Sequence, residues 1–196
     1  MRRSFQAFLV AALVAFAMVP PSPAHAQDAG GNDESRMTLG TMFEKEQFIG
    51  LSGFTSAVRM SGIVDSLKAT GPFTVLAFSN EAANDAAAFL RSTFPQPEKS
   101  PEFRNLVEYH VIQGRKLLAR DFSTVDELTT RNGKILHVET KGTTYGNQSK
   151  QPKTIILTGK NKARIPDDQS YRNLGISQAS NGIVHTIDTV LKPPQQ

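Results

Sequence analysis

The order in which two periodicities occur along this chain restricts its fold more than any other feature. Helical spacing of apolar residues is confined to the first half, strand patterns dominate the second, and one strand stands early among the helices. Phe54, Val58, Ile63 and Leu67 recur three to five residues apart, with Arg59, Asp65 and Lys68 left to face water, which predicts helix from Phe54 to Thr70. Gly62 inside that stretch marks either two short helices meeting or a close helix contact, and Gly71-Pro72 ends it. Phe73 to Phe78 is a nearly continuous apolar run, the pattern of a strand covered on both faces. Ser79-Asn80-Glu81 offers side-chain oxygens to cap a helix over Ala82 to Phe94. Pro95 to Pro101 reads as a loop, and Phe103, Leu106, Val107 and His110 share one side of a helix over Glu102 to His110. Helices first and strands later make an α+β chain, not an alternating βαβ one.

In the second half, Asn132-Gly133 predicts a hairpin between Leu128-Thr129-Thr130 and Lys134 to Glu139, with both turn residues at positive φ. Lys153 to Thr158 and Ala163 to Ile165 form another strand pair around Gly159-Lys160-Asn161. Asp167 to Leu174 is a polar loop. The last strand, Ile183 to Leu191, opens at Asn181-Gly182 and ends before Pro193-Pro194. Met37 to Phe48 is too weakly patterned to assign. No internal repeat is present.

Residues 1–26 read as an export signal. Arg2 and Arg3 precede the 13 apolar residues Ala7 to Val19, and Ala24-His25-Ala26 fits a small-x-small cleavage site. The run is shorter than the ~20 residues a bilayer span requires, so no stable membrane insertion is expected once it is removed. Arg2-Arg3-Ser4-Phe5 resembles a twin-arginine start, but two arginines specify little, and ordinary secretion is favoured. Residues 27–36 are polar and read as a flexible linker. Residues 37–196 form one domain, long enough for a real core. The sequence has no cysteine, which excludes disulfides, thiolate metal sites and a Cys nucleophile, and suits a periplasmic or secreted protein that needs no staple. Net charge is +4 over the chain; without Arg2 and Arg3, 20 basic face 18 acidic residues. That balance points to no nucleic-acid partner.

Three segments in fixed order carry a family resemblance: Gly71-Pro72-Phe73-Thr74-Val75-Leu76-Ala77-Phe78-Ser79-Asn80, Leu106 to Gly114 with Tyr109-His110-Val111, and Asn181 to Leu191. Together they resemble the first conserved box, the Tyr-His motif and the second box of fasciclin-like domains, over roughly Met37 to Pro193. The first box departs from the usual Ala-Pro-Thr-Asp: Phe78 replaces its proline, while Ser79 and Asn80 keep capping oxygens. Lys141 to Tyr171 is longer than usual, and the integrin-recognition sequences described for animal members are not apparent. The resemblance implies an α+β fold, a β-sandwich or wedge with several helices packed on one side. It also implies a non-catalytic adhesion or interaction role towards envelope or matrix proteins or polysaccharide. Thr74, Asn80, His110, Asn181, Gly182, His185 and Asp188 are its structural motif residues, and Tyr109 is a candidate contact residue.

The alternative is a secreted hydrolase. His110 or His185 as base, oriented by Asp188 beside Ser79 or Ser180, would form a triad. Strand alternation places His185 and Asp188 on opposite faces, and no Gly-x-Ser-x-Gly elbow exists, so structural roles outweigh catalysis. His137 adds a third histidine without metal-ligand spacing; neither metal nor cofactor is expected. The remaining surface signal is basic. Lys141, Lys150, Lys153, Lys160, Lys162 and Arg164 occur with no acid between them, beside Tyr145, Asn147 and Gln148. Such a patch can hold an acidic polysaccharide or a phosphate-bearing surface through its summed field, or merely solubilise strands and guard an edge. Nothing in the sequence sets the oligomeric state.

Overall fold

A cysteine-free domain must hold its layers together by packing and hydrogen bonds, and the strand most enclosed by that packing is the early one. The computed structural model describes residues 36–142, 144–146, 149–151, 154–165 and 178–194. Strand β1 (Phe73–Phe78) is buried at every position. Its neighbours are β2 (Val111–Gln113), antiparallel, and β10 (Gly182–Ile187), parallel, with Phe73 opposite Gly182 and Phe78 opposite Ile187. β9 (Gln178–Ala179) completes a four-stranded sheet in the order β2-β1-β10-β9. A continuous apolar run suits this central position, because neither face nor edge of β1 meets water.

A second four-stranded sheet has the order β3-β4-β7-β8, from β3 (Glu127–Thr129), β4 (Ile135–Lys141), β7 (Thr154–Thr158) and β8 (Lys162–Ile165), all antiparallel. β4 and β7 alternate buried with more exposed residues, as a sheet with one wet face requires. Leu128, Leu136, Leu157 and Ala163 point inward. A two-stranded hairpin, β5 (Thr144–Gly146) with β6 (Ser149–Gln151), lies between β4 and β7 in the chain, within the stretch the sequence marks as long. Residues 1–35 and 166–177, with the predicted signal, most of the predicted linker and the predicted polar loop, lie outside the described residues.

Two of the α-helices arise where apolar spacing predicts them, one predicted helix is divided in two, and one falls in the unassigned stretch. α2 (Ser52–Met60) buries Phe54, Ala57 and Val58, and ends before Gly62, which takes φ +71. α3 (Asn80–Asp85) and α4 (Ala87–Thr93) replace the single helix predicted over 82–94, with Ala86 joining them. α5 (Pro101–Glu108) begins at Ser100, whose Oγ accepts from Phe103 N–H at 3.0 Å. The unassigned stretch after Met37 contains α1 (Leu39–Glu44), which buries Leu39, Met42 and Phe43. Phe43, Phe54 and Phe78 form an aromatic chain with centroids 5.7 and 5.0 Å apart, and it reaches His110 at 5.5 Å from Phe78. All described residues fall in one compact unit. Among them no helix is long and apolar enough to cross a membrane.

One turn differs from expectation. Only Gly133, at φ +79, is in the left-handed region; Asn132 is not. Thr130 O accepts from Gly133 N–H and Thr130 N–H donates to Lys134 O, so the loop has three residues ending in a left-handed glycine. Asn132 Oδ1 accepts from Lys134 N–H and from the Thr130 hydroxyl instead. The side chain thus secures the turn without a strained backbone.

Candidate functional site

The motif residues lie on or beside the strands of the first sheet, and all but Gly182 hold backbone groups through their side chains. Thr74 Oγ1 donates to Arg115 O (2.8 Å) and accepts from Leu117 N–H (2.9 Å), pinning the segment after β2 to β1. The expected helix cap divides between two residues. Ser79 caps its own helix α3 by accepting from Ala82 N–H. Asn80 serves α2, whose N-cap Leu51 has no side-chain oxygen: Oδ1 accepts from Gly53 N–H (3.0 Å) and Ser52 Oγ (3.1 Å).

Asn181 is the most heavily used. Its Oδ1 accepts from Leu39 N–H, at the start of α1, and its Nδ2 donates to Leu67 O and Ala69 O, all at 2.8 Å. Its carbonyl accepts from Phe73 N–H. One side chain thereby ties α1, the turn after α2 and the start of β1 together. Gly182 beside it admits no side chain, because a Cβ would lie 2.5 Å from Leu39 Cδ1 and 2.6 Å from Phe73 O.

His110 is fully buried. Its Nδ1–H donates to Leu106 O (2.8 Å), and its Nε2 accepts from Leu191 N–H (3.1 Å). Those partners select a neutral tautomer, because a proton on Nε2 would face another donor. Burial pushes its pKa down to about 4, the Leu106 bond opposing the fall. His185 Nε2–H donates to Leu117 O at 2.6 Å, with its ring edge-on to Phe122 at 5.2 Å. Burial also lowers its pKa, against the Leu117 bond and the Asp121 charge. Asp188 lies beyond β10 and is exposed; its Oδ1 accepts from Arg164 N–H (2.7 Å) and the Thr189 hydroxyl (3.0 Å). Both candidate hydroxyls act elsewhere, Ser79 as a cap and Ser180 as a donor to Met37 O. The geometry therefore gathers none of these groups into a triad. Among the described residues, no three His, Asp or Glu side chains gather for a metal.

Tyr109 is a core residue, contrary to its candidacy for the surface. It is 0% exposed, donates to Ile135 O (3.1 Å), and burial pushes its phenol up to about 12. The turn at Gly159 sits against it, since a Cβ there would fall 2.3 Å from the hydroxyl.

The basic segment divides once strand register is known. Lys141 Nζ is 3.2 Å from Glu139, two residues back on the same outward face of β4, so a neighbour outside the basic stretch answers its charge. Lys160, Lys162 and Arg164 are exposed on the β7–β8 hairpin, with Ala163 buried between the last two. The side chains of Tyr145, Lys150 and Lys153 lie outside the described residues. Sequence reasoning saw Asn161 only as a turn residue. Its Oδ1 accepts from Lys192 N–H (2.7 Å) and its Nδ2 donates to Val190 O (2.9 Å), clasping the hairpin to the chain after β10. The signal for that role was an amide in a turn, which marks local bonding as readily as distant.

The "Fasciclin domain" family model matches residues 50–193. The chain belongs to the fasciclin domain family. It is 27% identical over 143 residues to Protein sll1483 of Synechocystis sp., covering 73% of this chain and 67% of that protein. It is equally 27% identical over 143 residues to the transforming growth factor-beta-induced protein ig-h3 of Sus scrofa, covering 73% of this chain but 18% of the porcine protein. A FAS1 domain pair from the insect cell adhesion molecule fasciclin I is structurally similar, with TM-score 0.55 and 21% identity over 74% of this chain and 46% of that one. That similarity shows the shared α+β fold. The fasciclin domain here thus spans less than half of the insect chain and under a fifth of the porcine one.

Proposed function

We propose that this fasciclin domain is an exported, non-catalytic interaction module whose β7–β8 hairpin contacts an acidic polysaccharide or an acidic face of an envelope or matrix protein. The observation that carries this reading is the outward display of Lys160, Lys162 and Arg164 on a hairpin whose inward residues, Leu157 and Ala163, are core. Three like charges on one short hairpin raise the local concentration of an anionic polymer through their summed field. The Asn161 clasp and the two Arg164–Asp188 bonds, one to the Asp188 carboxylate and one between backbones, hold the hairpin in place, so little further ordering is needed on contact. The bases of the hydrolase alternative argue for the non-catalytic reading: His110 has both ring nitrogens bonded to backbone, and His185 Nε2 is bonded to Leu117 O. The apolar run at residues 7–19 supports export.

The test is binding to acidic and neutral polysaccharides at low and high salt, with Lys160, Lys162 and Arg164 each changed to Glu in one variant. The proposal expects salt-sensitive binding to acidic polymers only, lost in the variant. Binding unaffected by the three substitutions would overturn it.

A further inference from the structure

Helix α4 contains no fully buried side chain. Phe89 and Leu90 pack on the core only in part, and the Phe89 ring takes Lys192 Nζ at 3.9 Å from its centroid. The helix bridges the space between α2 and α5 without filling it, and beneath it lies a cavity of about 410 Å³. Residue size explains the void. α2 supplies Gly53 and Ala57 to its wall, and α3 and α4 supply Ala83 and Ala87. Such short side chains close the helices together at one point, where a Cβ on Gly53 would lie 2.8 Å from Ala83 Cβ, and leave volume elsewhere. The base is apolar and buried, formed by Phe78, Phe103 and Leu106. The rim is different. Asn84 and Arg91 line the cavity and are exposed, and no carboxylate of the described residues pairs with Arg91.

An apolar slot with one convergent cation and one amide is the composition of a small-molecule site, and its volume falls in the usual range of roughly 300–1,000 Å³. The chemistry at the rim selects the ligand. A guanidinium matches a planar carboxylate through two parallel N–H donors, and the Asn84 amide can donate beside it. We propose that this cavity binds one free fatty-acid-like monocarboxylate, its chain between α2, α4 and α5 and its carboxylate on Arg91 and Asn84. The site is separate from the β7–β8 hairpin and stands independently of the function proposed there. Its size suits one acyl chain, so the source committed to is the free acid, not a two-chain membrane lipid.

The experiment is calorimetric titration of the full chain with decanoate and with decan-1-ol, below the concentration at which decanoate aggregates. Wild type binds both, decanoate more tightly. Arg91→Glu, at an exposed position, weakens decanoate about tenfold and leaves decan-1-ol within about twofold. Ala87→Trp, shown folded by an unchanged circular dichroism spectrum, abolishes both by filling the slot. Absence of decanoate binding by wild type would overturn the proposal. So would decanoate affinity unchanged by Arg91→Glu, or binding retained in folded Ala87→Trp. Retention on phosphatidylglycerol vesicles that free decanoate does not relieve would assign the surface to membranes and overturn the free-acid site.

Discussion

Lowering the pH should destabilise this domain through His110 in a defined window. The neutral ring accepts from Leu191 N–H and donates to Leu106 O, and a second proton would break the first of these bonds inside the core. Its folded pKa of about 4 lies below the ordinary 6.5. The unfolded chain therefore takes up the proton first as pH falls. The contribution is full above about pH 6.5, is lost progressively on acidification, and is exhausted below about pH 4. At about 1.4 kcal/mol for each pH unit of difference, the full loss is roughly 3 kcal/mol. Between about pH 7 and pH 4.5 it is about 2 kcal/mol. Urea unfolding of wild type and His110→Phe at those two pH values isolates the effect, because every other titrating group is common to both. His110→Phe should be less stable at pH 7 by about 2 kcal/mol, since it orphans the buried Leu191 N–H and the Leu106 carbonyl. Its disadvantage should shrink or vanish by pH 4.5. A variant whose stability falls with pH in parallel with wild type would refute the reasoning, and with it the neutral tautomer assigned here.

Two further substitutions probe the frame by chemical or thermal unfolding. Asn181→Ala removes three hydrogen bonds and should cost about 3 kcal/mol; Asn181→Asp, which keeps the acceptor for Leu39 N–H but turns oxygen towards Leu67 O and Ala69 O, should recover none of it. A melting temperature for Asn181→Asp equal to wild type would sink that assignment. Asp188→Ala should cost only about 1 kcal/mol, because the Arg164 N–H it accepts from is exposed, and the loss should appear as faster amide exchange in β8.

The early strand, the two main hairpins and the break at Gly62 were legible because each is set by neighbours in sequence: a continuous apolar run, turn residues, a left-handed glycine. The fold class followed from their order. What local pattern does not contain is register between distant strands. Pairing of β1 with β10 joins Thr74 to Ile183, and only that pairing brings Asn181 against α1. The last strand stops at Ile187, short of the predicted Leu191, because Val190 and Lys192 give their backbone groups to Asn161. Tyr109 was misplaced for a similar reason. It caps α5, and whether it faces water depends on the turn at Gly159, fifty residues away, closing over it. Lys141 stays exposed, but charge counted along the chain misses its ion pair with Glu139, which lies just outside the counted stretch on the same face of β4. The cavity under α4 was invisible for another cause: an alanine-rich helix reads the same whether it closes on its neighbours or spans a gap.

The most direct test of the proposed function is polysaccharide binding by the wild-type chain and by the variant carrying Lys160→Glu, Lys162→Glu and Arg164→Glu. It should be run at about 0.01 M and about 0.15 M salt, where the screening length falls from roughly 30 Å to about 8 Å. The account predicts that wild type binds acidic polymers at low salt, binds less at high salt, and that the variant binds at neither. Equal binding by both proteins, or binding to neutral polymers that salt does not weaken, would contradict it.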